Sequence, residues 1–345
     1  MEKILSFIIP SYNSQGFLDK CIPSFASEEV LDELDIIIVN DGSQDDTAAV
    51  AEKYCRMYPG SVRLISQENK GHGGALNTGC AAAVGKYLKA IDADDWVIRE
   101  DLPAFVEALR SCTADVVLTH YHMNDITTGQ AAAWKSFPGE FGRNYSFREI
   151  MERWKDFDRV LTFHGITYRT DFYREKGILL SEHIFYEDNE FATIPCCYAE
   201  TVLPLDLFVY EYRVGDVQQS VSDENQLKRI GHTQAVLERL VREYDRLELP
   251  EDAAGREFYC MKVRGLLLSY YITALLVEKD KKKGRQMAEA MMERFENEMP
   301  RVHALSKKQY RVFRAMNRLH LGKKAWEKIK SSKVYNALRH NHDFS

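Results

Sequence analysis

The chain has 345 residues, of which 45% are hydrophobic, and its formal net charge at pH 7 is −6. This length exceeds one typical domain and the composition provides a sizeable core, so we expect one large α/β domain with an appended part. The longest apolar run, residues 265–277, is interrupted by polar residues and is too short to span a membrane, so we expect no transmembrane segment. The acidic balance does not favour a nucleic-acid partner.

The amino terminus and the cysteines indicate an intracellular compartment. Met1-Glu2-Lys3 leads directly into apolar residues 4–9, which are too few for a signal-peptide core and have the pattern of a first strand. The seven cysteines include no C-x-x-C pair, so we predict reduced thiols and no zinc site. We therefore expect a cytoplasmic protein.

Four apolar segments, each followed by a polar or glycine-containing loop, open the chain. Helical spacing follows the first three segments, which is the pattern of βαβ units in a mostly parallel sheet. Right-handed crossovers place the loops on one edge of that sheet, so they should line one crevice. The predicted strands are residues 4–9, 35–39, 62–66 and 86–91, and the loops are residues 10–13, 41–43, 70–74 and 92–94.

Three acids, Asp92, Asp94 and Asp95, follow the fourth strand. Asp92 and Asp94 are two residues apart, so their carboxylates can converge at the edge where open α/β sheets bind ligands. Two carboxylates repel each other unless a cation lies between them, and a hard divalent ion shared with substrate phosphates is the usual arrangement. The sequence predicts a metal and phosphate site here. A solvated acidic turn, or Asp95 capping a helix that starts near Asp101, is the alternative.

The rest of the chain changes gradually from mixed to helical structure. Helices should begin at Ser146 and at Glu187, and the spacing is helical from residue 223 onward. We therefore predict two domains, residues 1–220 and an all-helical region, residues 221–345. The segments predicted to be β-rich are residues 114–120, 160–168 and 201–213. The helical breaks are predicted near Pro250, Gly284 and Gly322.

Several ordered motifs occur together in residues 4–215. They are Pro10-Ser11-Tyr12-Asn13, Val39-Asn40-Asp41-Gly42-Ser43 with Asp46-Thr47, Asn69-Lys70-Gly71, Asn77 with Gly79, and Ile91-Asp92-Ala93-Asp94-Asp95. This set resembles the donor-binding half of family 2 glycosyltransferases with the GT-A fold. The resemblance implies a Rossmann-like sheet flanked by helices and inverting transfer from a nucleotide-diphosphate sugar, most commonly UDP-linked, with Mg²⁺ or Mn²⁺.

The same resemblance implies roles for individual residues. Asp41 would accept a hydrogen bond from the nucleobase. Asp94 would hold the metal, and Asp92 would contact the ribose or the metal. Residues 70–73 and Asn77 would approach the ribose and diphosphate. Leu76 stands where most members have Arg, just before Asn77, so the sequence departs from the pattern there. The residues implied to bind the donor are Pro10, Ser11, Tyr12, Asn13, Asp41, Gly42, Ser43, Lys70, Gly71, Gly73, Asn77, Asp92, Ala93, Asp94 and Arg213.

Inverting transfer also requires a base. A divalent ion neutralises the charge that develops on the diphosphate, but the acceptor hydroxyl needs a base on the opposite face of the sugar. Glu187-Asp188 resembles the family's Glu-Asp pair, so we predict Asp188 as the catalytic base and Glu187 as a residue that positions the acceptor or stiffens the loop. Alternatively, both acids favour a helix N-terminus through the helix dipole.

Three further side chains have two interpretations each. His72 and His164 could contact phosphate or acceptor, or be satisfied structural groups. Arg213 precedes Gln219 in a segment that resembles the family's sequence after the base, so it could reach the diphosphate or be a surface arginine.

The acceptor is expected to be a hydroxyl of a cell-surface glycan or a lipid-linked molecule. Single-sugar transfer is favoured because the chain lacks the Gln-x-x-Arg-Trp signature and the membrane helices of processive synthases. A catalytically inactive nucleotide-sugar-binding module is one alternative, although Asp92, Asp94 and Asp188 are all present. An NAD-dependent oxidoreductase is a weaker one, because Leu76 stands where its fingerprint needs a third glycine.

The carboxyl-terminal tail is basic. Residues 301–345 carry 12 Lys and Arg against 2 Asp and Glu. On a helix, Trp326, Ile329 and Lys333 are three and four positions apart, which predicts an apolar stripe flanked by lysines. This pattern is typical of a helix lying on an anionic membrane, which would place the protein at the inner face of the membrane. Docking of the tail on the acidic remainder of the chain is the alternative.

Overall fold

The structure is a computed structural model that describes residues 2–135, 140–215 and 222–331. The chain divides into two compact units. The first comprises residues 1–219 and 247–259, and the second comprises residues 220–246 and 260–345. The sequence had placed residues 247–259 in the helical region, whereas they group with the first unit.

The strands of the described residues form one mixed sheet in the first unit. The strands are β1 (Leu5–Ser11), β2 (Leu34–Asp41), β3 (Val62–Gln67), β4 (Tyr87–Ala90), β5 (Trp96–Val97), β6 (Val116–Asp125), β7 (Gln130–Trp134), β8 (Tyr145–Ser146), β9 (Ile166–Arg169) and β10 (Thr201–Val214). Their order in the sheet is β3-β2-β1-β4-β9-β6-β10-β5, with β7 beside β6 and β8 beside β10.

Helices occur in both units. In the first unit they are α1 (Gln15–Ser24), α2 (Thr47–Met57), α3 (Gly71–Ala82), α4 (Leu102–Ser111), α5 (Phe147–Glu152), α6 (Trp154–Phe157), α7 (Thr170–Glu175) and α8 (Asp188–Thr193). The remaining helices are α9 (Asp223–Lys228), α10 (Ile230–Asp245), α11 (Ala254–Ile272), α12 (Lys281–Glu298), α13 (Pro300–Arg318) and α14 (Lys323–Lys330). Short 3-10 turns cover Leu31–Glu33, Arg99–Asp101 and Cys196–Tyr198, and a π-helical turn, Thr273–Val277, follows α11.

The first four strands are parallel, as the continuous apolar runs of the sequence predict. Every residue of β1 and β2 is buried. The prediction that β1 stops before Pro10 was wrong, since the strand continues to Ser11. Ile8 O accepts a hydrogen bond from Ile91 N, just beyond the end of β4. Pro10 comes two residues after Ile8 and faces the same side of β1, where β4 has already ended. The strand therefore loses no hydrogen bond because proline lacks an N–H.

The second half of the sheet is mixed rather than parallel. β9 lies between β4 and β6 and is antiparallel to both. β10 runs parallel to β6 but antiparallel to β5 and β8. Of the β-rich residues 160–168, only the last few are in a strand. The predicted helix at Ser146 is present as α5, whose first turn carries a complete capping box between Ser146 and Glu149.

The helical carboxyl-terminal part of the chain, from residue 223 to residue 331, has breaks at two of the three predicted places. The chain leaves helical structure between α10 and α11 and between α13 and α14, but α12 runs through Gly284. The break occurs just before α12, where Asp280 accepts hydrogen bonds from Lys282 N and Lys283 N. A Cβ on Gly284 would come within 2.0 Å of Ala274 O, so this glycine permits close helix packing instead of ending a helix.

One helical stretch, residues 254–277, is longer than the apolar run noted in the sequence. By length and composition alone its 24 residues suffice to cross a bilayer. Half of its most apolar window is buried inside the protein. Because helices at the centre of a folded core share these properties, the stretch is weak evidence for a membrane span.

The basic tail is described only as far as residue 331. Its helix α14 packs Trp326 edge-on against Phe313 of α13, with ring centroids 4.9 Å apart, so one residue of the predicted apolar stripe is used in internal packing. Ile329 is 41% exposed. Lys333 and the residues after it lie outside the described part of the chain.

Candidate active site

The four loops at the carboxyl edge of the parallel strands are joined to one another by hydrogen bonds. Asn13 N donates to Ser43 Oγ over 3.0 Å, which joins the first loop to the second. Lys70 N donates to Asp41 Oδ1 over 2.8 Å, which joins the second to the third. His72 Nε2 lies 2.9 Å from Asp92 Oδ1, which joins the third to the fourth. The four loops therefore form one continuous polar edge.

The first loop exposes Tyr12 and Asn13 at this edge. Tyr12 is 49% exposed, and Asn13 has a φ of 50°, a left-handed conformation that Asn tolerates better than most residues. Asn13 Oδ1 accepts from Gln44 N over 2.9 Å. Pro10 and Ser11, which the resemblance also assigned to the donor site, are buried strand residues.

Asp41, at the end of β2, is buried and already hydrogen-bonded. Its Oδ1 accepts from Gln67 Nε2 over 2.6 Å as well as from Lys70 N. The next residue, Gly42, has a φ of 71°, and a Cβ there would lie 2.8 Å from Asn69 N, so only glycine fits. Asp41 thus connects the second and third loops, and its predicted hydrogen bond to the nucleobase of a donor stays a prediction.

The glycines that open α3 pack against residues 178–188, which we call the 178–188 segment. Gly71 has a φ of 77°, and a Cβ on it would lie 2.8 Å from His183 N. A Cβ on Gly73 would lie 2.2 Å from Ser181 O. The resemblance assigned these glycines to the donor site. In the structure they permit the close approach of the 178–188 segment, and their contact with a donor stays a prediction.

Two further contacts fix the 178–188 segment to α3. Asn77 donates through Nδ2 to Leu180 O over 3.0 Å and accepts at Oδ1 from Leu180 N over 2.8 Å. His183 N donates to Lys70 O over 2.8 Å. Both polar ends of Asn77 are therefore occupied by the backbone, and its contact with a donor stays a prediction, as does that of the exposed Lys70 side chain.

The acids after β4 form a turn in which Asp95 is structural. Asp95 N donates to Asp92 O over 3.0 Å. The side chain of Asp95 is buried and accepts from the Tyr210 hydroxyl over 2.6 Å and from Arg213 N over 2.7 Å. Asp95 therefore bonds to β10, and the alternative that it caps a helix near Asp101 is wrong.

Negative charge is concentrated at this turn. Burial, with the nearby charge of Asp92, raises the pKa of Asp94 to about 6. Burial, with the charges of Asp92 and Asp94, raises the pKa of Asp95 well above its usual value. Arg213 Nη1 lies 3.6 Å from Asp94 Oδ2 and compensates only part of this charge. Such a site favours a cation.

The described residues bring Asp92, Asp95 and His164 together as a candidate metal centre. One ligand atom from each lies within 4.8 Å of the others. Burial lowers the pKa of His164 to about 4, so its imidazole is neutral and has a lone pair to offer. Carboxylate oxygens with an imidazole are a suitable donor set for Mn²⁺. Asp94, predicted with Asp92 as a ligand, is not one of these three, and its role stays a prediction.

His72 lies between two carboxylates. Its Nδ1 is 2.5 Å from Glu187 Oε1, and its Nε2 is 2.9 Å from Asp92 Oδ1. Burial lowers the pKa of His72, but the hydrogen bonds to both acids outweigh burial and raise that pKa well above 6.5. The sequence left two interpretations for this histidine, a phosphate or acceptor contact and a satisfied structural group, and neither named the two acids as its partners. Its partner Glu187 lies 115 residues away, and no sequence spacing indicates the pair.

The Glu187-Asp188 pair begins α8, as predicted. Glu187 is 2% exposed, and its Oε2 has no hydrogen-bond partner among the described residues. Asp188 is partly exposed, and its Oδ1 accepts from Asn189 Nδ2 over 3.1 Å. Gln219, noted in the sequence as part of the segment after the base, lies outside the described residues.

Residues 6–175 match the family model of Glycosyl transferase family 2. The chain is also 28% identical over 248 residues to the uncharacterized glycosyltransferase EpsJ of Bacillus subtilis, covering 71% of this chain and 68% of EpsJ. This chain is a family 2 glycosyltransferase. It spans half or less of the length of several other curated glycosyltransferases that it matches.

Solved structures show that this glycosyltransferase has the GT-A fold. The crystal structure of Staphylococcus aureus TarS residues 1–349 in complex with UDP-GlcNAc superposes with a TM-score of 0.59, at 17% identity, over 92% of each chain. The mannosyltransferase PcManGT of Pyrobaculum calidifontis in complex with GDP-Man and Mn²⁺ has a TM-score of 0.53 at 14% identity. That match covers all of this chain and 89% of PcManGT. The predicted fold class is confirmed.

Proposed function

We propose that this glycosyltransferase moves a single sugar, with inversion, from a nucleotide-diphosphate sugar to a hydroxyl of a cell-surface glycan or lipid-linked acceptor. The observation that carries the proposal is the meeting of four loops at the sheet edge, where the acids Asp92 and Asp94 lie in one turn and His72 joins Asp92 to Glu187. We assign the nucleotide-sugar donor to the Asp92 side of His72 and the acceptor to the Glu187 side.

The donor belongs to the edge formed by the first, second and fourth loops. Tyr12 and Asn13 are exposed there, and Asp41 and Ser43 stand beside them. A UDP-linked sugar is proposed because TarS was solved with UDP-GlcNAc, although PcManGT was solved with GDP-Man. Arg213, held 3.6 Å from Asp94, is the cation proposed to face the diphosphate.

The metal is proposed to be Mg²⁺ or Mn²⁺, held by Asp92 with His164 and Asp95 or Asp94. When bound, such an ion neutralises the charge that develops on the leaving diphosphate. The protein's own contribution is to keep His164 neutral, by burial, and to hold Asp95 with the Tyr210 hydroxyl and Arg213 N. These contacts fix the acid turn before any ligand arrives.

The acceptor belongs to the side of Glu187 and Asp188. We assign Asp188 as the base that takes the proton of the attacking hydroxyl. Glu187 is held by His72 through Oε1 only, and its buried Oε2 is left to accept a hydrogen bond from the acceptor. In-line attack requires the acceptor to lie on the face of the sugar opposite the diphosphate.

A nucleotide-sugar screen with and without Mn²⁺ tests this function. The unfolding temperature should rise in the presence of one of the nucleotide sugars, because a ligand at 100 times its dissociation constant adds about 2.7 kcal/mol of stability. Release of the nucleoside diphosphate in the presence of acceptor should follow. Binding without turnover over a broad acceptor panel would favour the inactive binding module, and no binding of any nucleotide sugar would contradict the proposal.

The metal assignment has its own comparison of variants. Asp94→Asn should abolish metal-dependent nucleotide binding if Asp94 is a ligand, as the resemblance implies. His164→Phe should do so if the geometric group of Asp92, Asp95 and His164 binds the ion. Calorimetric titration of Mn²⁺ in the presence of UDP distinguishes the two, since the variant of a residue that is not a ligand keeps its metal affinity.

The tail is proposed to hold the protein at the inner face of an anionic membrane. Lys324, Lys328 and Lys330 are exposed and have no acidic partner among the described residues, and Ile329 is beside them. Each such lysine adds on the order of 1 kcal/mol near an anionic surface. Changing the three lysines to Glu should reduce co-sedimentation with vesicles rich in anionic lipid. Equal, salt-insensitive partitioning of both proteins would contradict a membrane role.

A further inference from the structure

His72 connects two acids that serve different substrates in the proposed function. Glu187 is beside the proposed base, and Asp92 is in the acid turn proposed to bind the donor and metal. The ring nitrogens of His72 lie 2.5 Å from Glu187 Oε1 and 2.9 Å from Asp92 Oδ1. One imidazole therefore spans the acceptor side and the donor side.

The ring is well suited to fix a distance. Ionised carboxylates only accept hydrogen bonds, so each ring nitrogen can serve as the donor to one acid. The imidazole is planar and rigid, whereas a long flexible side chain in its place would lose more rotamer freedom. The Phe163 ring lies 5.9 Å away by centroid and packs beside it.

The backbone around His72 is fixed on both sides. Gly71 and Gly73 let the 178–188 segment approach the start of α3, and Asn77 bonds to Leu180 with both ends of its amide. Ser181 donates through N and Oγ to Glu190, over 2.8 Å in each case. His72 adds a bond between Glu187, at the end of this segment, and Asp92 in the acid turn.

We propose that His72 is a positioning residue that holds Glu187 at a fixed distance from Asp92, so that the acceptor hydroxyl lies in line with the donor. The inference rests on the proposed function. Its physical basis is that a displacement of about 1 Å between reacting groups can reduce the rate about 10²-fold. His72 acts through the two acids and does not contact the reacting atoms.

Two amide substitutions separate the two bonds. The side-chain nitrogen of Asn is as many bonds from Cα as Nδ1 of histidine, so His72→Asn can keep the bond to Glu187 and lose the bond to Asp92. The side-chain nitrogen of Gln is as many bonds from Cα as Nε2 of histidine, so His72→Gln can keep the bond to Asp92 and lose the bond to Glu187. His72→Ala loses both bonds and serves as the reference.

Kinetics and calorimetry with the full chain should then separate the two sides. We expect His72→Gln to keep the affinity for nucleotide and Mn²⁺ within about twofold while kcat/KM for the acceptor falls about 10²-fold. We expect His72→Asn to lose affinity for Mn²⁺ and nucleotide and to keep more of the acceptor-dependent rate than His72→Ala. Adding Glu187→Gln to His72→Gln should have little further effect, because the pair acts as one unit.

Hydrogen exchange of the 178–188 segment gives a readout that does not need turnover. The exchange should be faster in His72→Gln and His72→Ala than in the wild type, and near wild type in His72→Asn. If the three variants show equal kinetics and equal exchange, the positioning role is wrong. If the wild-type protein neither binds nucleotide sugars nor turns over, the proposed function fails, and the exchange pattern still decides whether His72 holds the segment.

Discussion

The hydroxyl of Tyr210 donates to Asp95 Oδ2 over 2.6 Å and accepts from Asp92 N over 3.1 Å. Tyr210 is fully buried in β10, 115 residues from Asp95 in sequence. A single hydroxyl therefore braces both ends of the acid turn. The geometry of the acid turn therefore depends on β10, a strand that follows the proposed base in sequence.

Tyr210→Phe removes this brace without changing the ring. Because a buried carboxylate then loses one donor, we expect the free energy of unfolding to fall by about 1–3 kcal/mol. The affinity for Mn²⁺ should fall as well, because the turn is less fixed. Urea denaturation and Mn²⁺ titration measure the two effects. Tyr58→Phe removes a partly exposed hydroxyl that has no hydrogen-bond partner among the described residues, so it should change neither quantity.

Asp188→Asn tests the proposed base. The variant should bind the nucleotide sugar as tightly as the wild type, because the proposed function assigns Asp188 to the acceptor. Its kcat should fall by about 10²–10⁴-fold, the usual contribution of a positioned base. Steady-state kinetics with a calorimetric donor titration separate the two quantities. Turnover at the wild-type rate would transfer the assignment to Glu187 or Glu190.

Gly73→Ala tests whether the glycine serves the chain or a ligand. The new Cβ would lie 2.2 Å from Ser181 O, a backbone atom that cannot move without the 178–188 segment. We expect a loss of stability of about 1–3 kcal/mol and faster hydrogen exchange in this segment. Gly16→Ala in α1 is the matched control, since its Cβ would meet no atom within 4 Å, and it should be neutral or stabilising. Unchanged exchange in Gly73→Ala would contradict the packing explanation.

The first half of the sheet could be predicted because of how parallel strands are buried. β1 and β2 are covered on both faces, so the sequence shows them as continuous apolar runs with polar loops behind them. Most of β9 lies in the β-rich residues 160–168, but no local signal indicates that this short strand is antiparallel and lies between β4 and β6. Its insertion explains Lys89, a fully buried lysine whose Nζ donates to His164 O and Ile166 O. Burial lowers the pKa of Lys89 to about 7.

The candidate site could be predicted to the level of loops and acids, but not to the level of contacts. The acid turn and the Glu187-Asp188 helix start are visible because polar residues interrupt regular patterns. The bond from His72 to Glu187 and the approach of Gly73 to Ser181 depend on the path of the 178–188 segment. That path is set by tertiary packing, and single-sequence spacing carries no record of it.

Asn77→Asp tests the alternative roles of a residue that the resemblance assigned to the donor. The aspartate keeps an oxygen that can accept the hydrogen bond from Leu180 N, but it replaces the amide nitrogen that donates to Leu180 O by a charged oxygen. We expect a loss of about 1–3 kcal/mol in stability and a donor affinity within about twofold of the wild type. Denaturation and donor titration measure both. A large loss of donor affinity at unchanged stability would support the donor contact instead.

Asp35 predicts how stability depends on pH. Burial opposes ionisation of Asp35, but hydrogen bonds from Arg63, Ser6 and Val84 N outweigh it, so the net pKa is lowered. Arg63 Nε lies 2.6 Å from Asp35 Oδ1. Because the folded pKa lies below the unfolded value of about 3.9, the unfolded state binds more protons in acid. The stabilisation is therefore complete above about pH 4 and is lost as pH falls through the folded pKa.

Asp35→Asn should remove this part of the acid dependence. At pH 7 it should cost on the order of 3 kcal/mol, because it breaks a largely buried ion pair and leaves Arg63 without its carboxylate. Asp19→Asn is the matched control. Asp19 likewise has a cationic partner, Lys53 at 2.9 Å, but both of these side chains are at least half exposed. Its effect should stay within about 0.5 kcal/mol. Urea denaturation at several pH values between 3 and 7 measures the slope of the free energy of unfolding against pH. Equal slopes for the wild type and Asp35→Asn would show that the partners of Asp35 do not stabilise its ionised form.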